Sequence, residues 1–77
     1  MLPVASYSLI AKLTPRQMQI AELLIEGRTN REIATILSIS GSAIKRHIER
    51  MKQKTCSENR IQFIVLFARW KSVNEYE

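Results

Sequence analysis

The apolar positions of the chain fall into four helical repeats separated by short polar stretches. In the first, Ile20, Leu23 and Leu24 stand at i, i+3 and i+4, which places them on one face of a helix with 3.6 residues per turn. Its start is marked by Leu13-Thr14-Pro15-Arg16-Gln17-Met18. Thr14 can accept a hydrogen bond as N-cap, Pro15 fits the first helical position, where no N–H partner is needed, and Gln17 can complete a capping box. Leu13 and Met18 bracket the box as a hydrophobic staple. Gly27 tolerates the left-handed backbone that ends many helices, so the pattern predicts a helix over 15–26.

A second repeat, Ile33, Ala34 and Leu37, follows Asn30, which reads as an N-cap with Glu32 favourably placed near the positive end of the helix dipole. Ser38-Ile39-Ser40-Gly41 interrupts it with turn-forming residues, and Ser40 can cap the next helix. There Ile44, Ile48 and Met51, at i, i+4 and i+7, define a buried face that Thr55 continues, over 41–55. The opposite face is then fixed as Ser42, Lys45, Arg46, Glu49, Arg50 and Gln53, all hydrogen-bonding side chains.

The fourth helix is expected after Ser57 as N-cap, with Glu58 next, running through Trp70 or a little beyond. It carries two apolar stripes. Ile61, Ile64, Val65 and Ala68 form one; Phe63, Leu66, Phe67 and Trp70 form the other, with Gln62 and Arg69 between them. A single small core does not easily cover both, so one stripe is left for a second copy of the chain or for the segment 1–12, whose Leu2, Val4, Tyr7, Leu9 and Ile10 are the apolar residues at hand. That segment shows neither period nor cap and is read as an N-terminal arm preceding a domain at 13–77.

With 77 residues, two glycines and two prolines, the chain has room for one core and few turns, and the fold class expected is all-α, a four-helix domain. A net charge of +5 favours a polyanionic partner, nucleic acid or anionic lipid. One cysteine and one histidine rule out an internal disulfide and fall short of a structural zinc set; no cofactor is expected, and a reducing cytoplasm suits the lone thiol. A nucleophile, base and orienting acid cannot be assembled from these residues, so no catalytic residues are assigned. Residues 1–12 lack the layout of a signal peptide, and the apolar run 63–68 is too short to span a bilayer, so no membrane partner is expected.

A helix-turn-helix requires a small residue where its helices cross, a turn about four residues later and a branched apolar anchor in the second helix. Ala34, Ser38-Ile39-Ser40 and Ile44 meet those requirements, and the exposed face of the helix that follows is rich in donors suited to base edges and phosphates. The same residues fall within a longer pattern: Leu13-Thr14-x-Arg16, Gly27-x-x-Asn30-Arg31-Glu32-Ile33-Ala34, Ser40-x-x-x-Ile44-Lys45-x-His47, then Lys54, Arg60 and Gln62. This pattern resembles the LuxR/GerE family of bacterial transcription regulators, without gaps from Leu13 to about Ala68.

The resemblance implies a DNA-binding domain whose third helix enters the major groove of double-stranded DNA and whose fourth often forms a dimer contact. By position it assigns base reading to Lys45, Arg46 and Glu49, and phosphate contacts to Asn30, Arg31, Ser42, His47 and Arg50, with Lys54 a weaker member. His47 lies at the edge of the apolar face, and a partly buried structural role is the alternative. The resemblance turns Phe63, Ile64 and Phe67 inward and leaves Ile61, Val65, Ala68 and the adjoining Arg69 for a homodimer interface, although the residue pattern leaves the pairing stripe open.

Some positions depart from the family. Gln17 replaces an acid, Ala43 replaces a common Thr hydroxyl, Thr55 and Ser57 stand at usually apolar places, and Phe63 and Phe67 replace small residues. The joint between the third and fourth helices is therefore expected to be less well packed or differently angled. The function expected is sequence-specific transcription regulation as a homodimer on an inverted repeat. The alternative is a protein-interaction module that modulates another regulator or RNA polymerase through its fourth helix, and a sigma-factor-like module is a third option. The initiating Met suits a stand-alone member, and an excised domain is the other possibility.

Overall fold

The computed structural model describes residues 4–75, with side chains from 7 to 74. Leu2 and the Val4 side chain, named above as possible cover, lie outside what it describes, as does the end of the domain at 76–77. The described residues form a 3₁₀ segment, Val4–Lys12, followed by α1 (Pro15–Ile25), α2 (Asn30–Leu37), α3 (Gly41–Lys54) and α4 (Arg60–Glu75).

Local chemistry sets the helix starts. Thr14 Oγ1 accepts from the Gln17 N–H at 3.1 Å and Gln17 Oε1 accepts from the Thr14 N–H at 3.1 Å, the expected capping box. Ser40 caps α3 through the Ala43 N–H at 3.1 Å. Two expected caps are corrected. Thr29, not Asn30, caps α2: its Oγ1 accepts from the Glu32 N–H and Glu32 returns a bond to the Thr29 N–H. Asn30 is the first helical residue, because only Thr29 places a carboxylate three positions on, at the reach a box demands. Likewise Asn59, not Ser57, caps α4, its Oδ1 accepting from the Gln62 N–H at 2.9 Å.

Three of the helix ends share one device. Gly27, Ser38 and Cys56 have φ of 87°, 56° and 54°. In each case the next N–H reaches back to a carbonyl in the preceding helix: Arg28 to Leu23, Ile39 to Ala34 and Ser57 to Lys52. These are 6→1 closures, and they reverse the chain within two or three residues. The left-handed conformation is easy for Gly27; Ser38 and Cys56 adopt it at a steric cost.

The core gathers Ile20, Ala21, Leu24, Ile33, Ile44, Ile48, Met51, Phe63, Leu66 and Phe67 around the α1, α3 and α4 crossings, with α2 lying on α3. Phe63 and Phe67 stack with centroids 6.0 Å apart, and Trp70 tilts against Phe67 at 5.3 Å. Fully burying each Phe contributes about 1.5–3 kcal/mol. The stripe Phe63, Leu66, Phe67 thus turns inward, while Ile61 is 72% exposed and Val65 37%.

Residues 4–12, read from the sequence as an arm either packed locally or mobile, form a 3₁₀ segment. The 3₁₀ segment packs on α4 and α3, and its Ile10, 1% exposed, belongs to the same core as Ile20. Among the described side chains of this segment, 7–12, Ile10 alone is fully buried, and a tight three-residue turn gives no 3.6-residue repeat for a sequence reading to find. The joint after α3 is also better made than expected. Thr55, 3% exposed, donates its hydroxyl to the Met51 carbonyl at 2.8 Å and lies 2.9 Å from Ser57 Oγ, so polar groups at apolar positions are satisfied locally.

Candidate nucleic-acid interface

With Ile44, Ile48 and Met51 fixing the inner face of α3, the outer face presents Ser42, Lys45, Arg46, Glu49, Arg50 and Gln53 to solvent. Among the described residues, neither Lys45 nor Arg46 is held in an ion pair. Glu49 is held: its carboxylate lies 2.7 Å from Lys52 Nζ, one turn further along the helix. A carboxylate so placed is oriented along α3, and an exposed pair of this kind exchanges partners at little cost.

Ala43, Arg46, His47 and Arg50 line an open cleft of about 250 Å³ on this helix. His47 is half-buried, and its Nδ1 is buried with no hydrogen-bond partner. Burial holds the imidazole below its ordinary pKa, and the positive charges of Arg50, Arg16, Arg46 and Lys54 add to that effect. Arg46 of the expected base-reading set and the phosphate candidates His47 and Arg50 therefore line one concavity, and the neutral ring is favoured in the free protein.

Other candidates are engaged within the fold. Asn30 Oδ1 accepts from the Arg60 guanidinium, which also donates to the Arg28 carbonyl at 3.2 Å, so the start of α4 is latched to the start of α2. Arg31 beside it is exposed. Lys54 Nζ donates to Gln17 Oε1 at 2.8 Å, which places its charge at the junction of α1 and α3 and gives the buried amide a cationic partner. Glu32 accepts the Thr29 backbone hydrogen bond and sits beside Arg28, which holds its carboxyl below the usual carboxylate range. Sequence reasoning gave Arg16 and Arg60 no role although both stand in the quoted pattern. Neither follows from a helical period, since each acts on another element.

Along α4, Ile61, Val65, Ala68 and Arg69 are all exposed. No helix among the described residues is long and apolar enough to cross a membrane, and no group of His, Cys, Asp or Glu among them is placed to hold a metal ion.

The comparison with known proteins decides the family. The description "Bacterial regulatory proteins, luxR family" matches residues 11–67, from the end of the 3₁₀ segment to Phe67 in α4. The chain belongs to the LuxR family. It is 38% identical over 53 residues to the spore germination protein GerE of Bacillus subtilis (strain 168), covering 69% of this chain and 72% of GerE. It is 46% identical over 48 residues to the probable transcriptional regulator ycf29 of Porphyra purpurea, covering 62% of this chain and 23% of that protein. Against the nitrate/nitrite response regulator NarP of Escherichia coli (strain K12) the identity is 33% over 55 residues, 71% of this chain and 26% of NarP. The chain thus spans less than a third of the ycf29 and NarP relatives. No solved structure matches it significantly. The LuxR assignment covers α1, α2 and α3 entirely and α4 up to Phe67, so the helix-turn-helix and its charged outer face lie wholly within the matched region.

Proposed function

We propose that this chain is a sequence-specific, DNA-binding transcription regulator that sets α3 in the major groove. The observation that carries this is the outer face of α3: unpaired Lys45 and Arg46 beside the oriented carboxylate of Glu49, on a helix held rigidly by Ile44, Ile48 and Met51. Lys45 and Arg46 suit the O6 and N7 acceptors of guanine, while Glu49 suits a cytosine amine. Ser42, His47 and Arg50 contact backbone phosphates, joined by Arg31 and by Asn30 through the α2 N-terminus. Lys54, occupied by Gln17, contributes field more than contact.

Two copies pair through Ile61, Val65, Ala68 and Arg69 on α4 and bind an inverted repeat with half-sites about one helical turn apart. The exposure of Ile61 and Val65 on a helix whose opposite stripe is already buried supports this pairing. The same exposure favours the second reading, in which α4 docks on another regulator or RNA polymerase. A cytoplasmic location and the absence of enzyme activity follow from the role of regulator.

The test is selection of duplexes from a random pool. The wild type selects an inverted repeat, and Glu49→Ala relaxes preference at one base pair per half-site while total affinity falls little. Equal losses on every sequence would remove Glu49 from base reading. Failure to bind any duplex, together with tight binding to a regulator or polymerase, would select the second reading.

A further inference from the structure

We infer that the cleft lined by His47 and Arg50, beside the base-reading Arg46, takes up one phosphodiester group of the DNA backbone together with a proton on His47, and that the charge of Arg16 on α1 adds to the field there. This rests on the DNA-binding reading above and adds a regulation to it: affinity set by pH through a single residue.

The cleft is lined by α3 alone, and α1 contributes the charge of Arg16. The cleft, about 250 Å³, is open to solvent and walled by two guanidinium groups and one imidazole, with the small Ala43 leaving room for a phosphate oxygen. Arg16, at the start of α1, and Lys54, at the end of α3, act electrostatically on the same ring. The charges acting on His47 are Arg16 from α1 and Arg46, Arg50 and Lys54 from α3, all positive, and none of the four is in an ion pair among the described residues. Lys54 is partly occupied by Gln17, whereas Arg16 has no ion pair among the described residues.

In the free protein this surrounding disfavours the imidazolium: four cations repel it and buried Nδ1 has no acceptor to donate to. A phosphodiester in the open cleft reverses the first of these, while Nδ1 stays buried. The phosphodiester is an acceptor only, so it gains a charge-assisted hydrogen bond from an imidazolium, and its negative charge offsets the four cations. The proton bound at His47 is thus favoured by the phosphate, and by linkage the phosphate is favoured by the proton. His47 is the only histidine in the chain, so no second imidazole obscures the effect.

The experiment measures affinity for a short labelled duplex of mixed sequence between about pH 5.5 and 8 at constant ionic strength. The wild type binds more tightly as pH falls, by several-fold and by no more than about tenfold per pH unit, the limit for one proton. His47→Gln, which keeps a hydrogen-bonding side chain but does not titrate, gives a flat profile. Arg16→Gln weakens binding, lowers the salt slope by about 0.9 and moves the midpoint of the pH profile upward, because one repelling charge is gone. A titration of the lone histidine's ring protons by NMR, free and DNA-bound, reads the same shift without reliance on affinity. Salt-dependent binding with a flat wild-type profile, or a His47→Gln profile as steep as wild type, overturns the proton coupling and leaves DNA binding standing. An unchanged affinity and slope in Arg16→Gln removes α1 from the site. Absence of binding at every pH overturns the DNA-binding reading and this inference with it.

Discussion

Arg60, the first residue of α4, donates its guanidinium to Asn30, the first residue of α2, and to the Arg28 carbonyl just before it. The contact spans thirty residues of sequence and fixes the entry of the helix-turn-helix relative to the helix that carries the exposed apolar stripe.

This latch is measurable. Arg60→Ala removes a part-buried, charge-assisted hydrogen bond and is expected to lower unfolding free energy by about 1–2 kcal/mol. Asn30→Ala costs less than the loss of a helix cap, because Thr29 holds that role. In urea unfolding the double mutant should show a coupling of at least about 0.5 kcal/mol. Strict additivity would mean that the two side chains do not interact in solution.

The exposed stripe of α4 gives a second test. Ile61→Asp with Val65→Asp changes residues that are 72% and 37% exposed, so the fold should survive with only a small loss of stability. Binding to an inverted repeat should fall to one copy per duplex, read by analytical ultracentrifugation of the complex. Two copies bound as in wild type would place the dimer contact elsewhere.

Acid stability separates two groups by sign. The folded protein holds His47 below its unfolded pKa, so the unfolded chain binds more protons near neutrality and stability falls as pH drops below about 6.5. Glu32 is held below the usual carboxylate value by the capping box, so its stabilising contribution is present above about 4.5 and is lost as pH falls through its lower folded value. Unfolding midpoints across pH should therefore decline in two stages, and His47→Gln should lack the first. The first stage persisting in that variant would assign it to another group. In the absence of DNA, acid thus weakens the fold, whereas in its presence acid is expected to tighten the complex.

Much of this was legible in the sequence because it is local. Thr14-Pro15-x-Gln17 specifies a helix start within four residues, and Ile44, Ile48 and Met51 determine by elimination which residues α3 exposes. The caps expected at Asn30 and Ser57 fall one and two residues from the true ones, because nearby residues are both competent and only the partner three positions on distinguishes them: Glu32 for Thr29, the Gln62 N–H for Asn59. Tertiary contacts left weaker traces. Ile10 in the core, Lys54 on Gln17 and Arg60 on Asn30 each join elements far apart in sequence, and no periodicity predicts which side chain meets which. The expected weakness at Thr55 assumed that a polar residue at an apolar place must be poorly packed; its hydroxyl instead finds the carbonyl one turn back.

Binding of DNA by the outer face of α3 is tested most directly by a salt series with Lys45→Ala/Arg46→Ala. For the wild type, log affinity should fall linearly with log salt, with a slope of about −0.9 for each phosphate neutralised. Selection of an inverted repeat should be lost in the double mutant while its helical content is unchanged. If wild type and double mutant bind all duplexes equally and weakly, α3 is not the element that reads DNA.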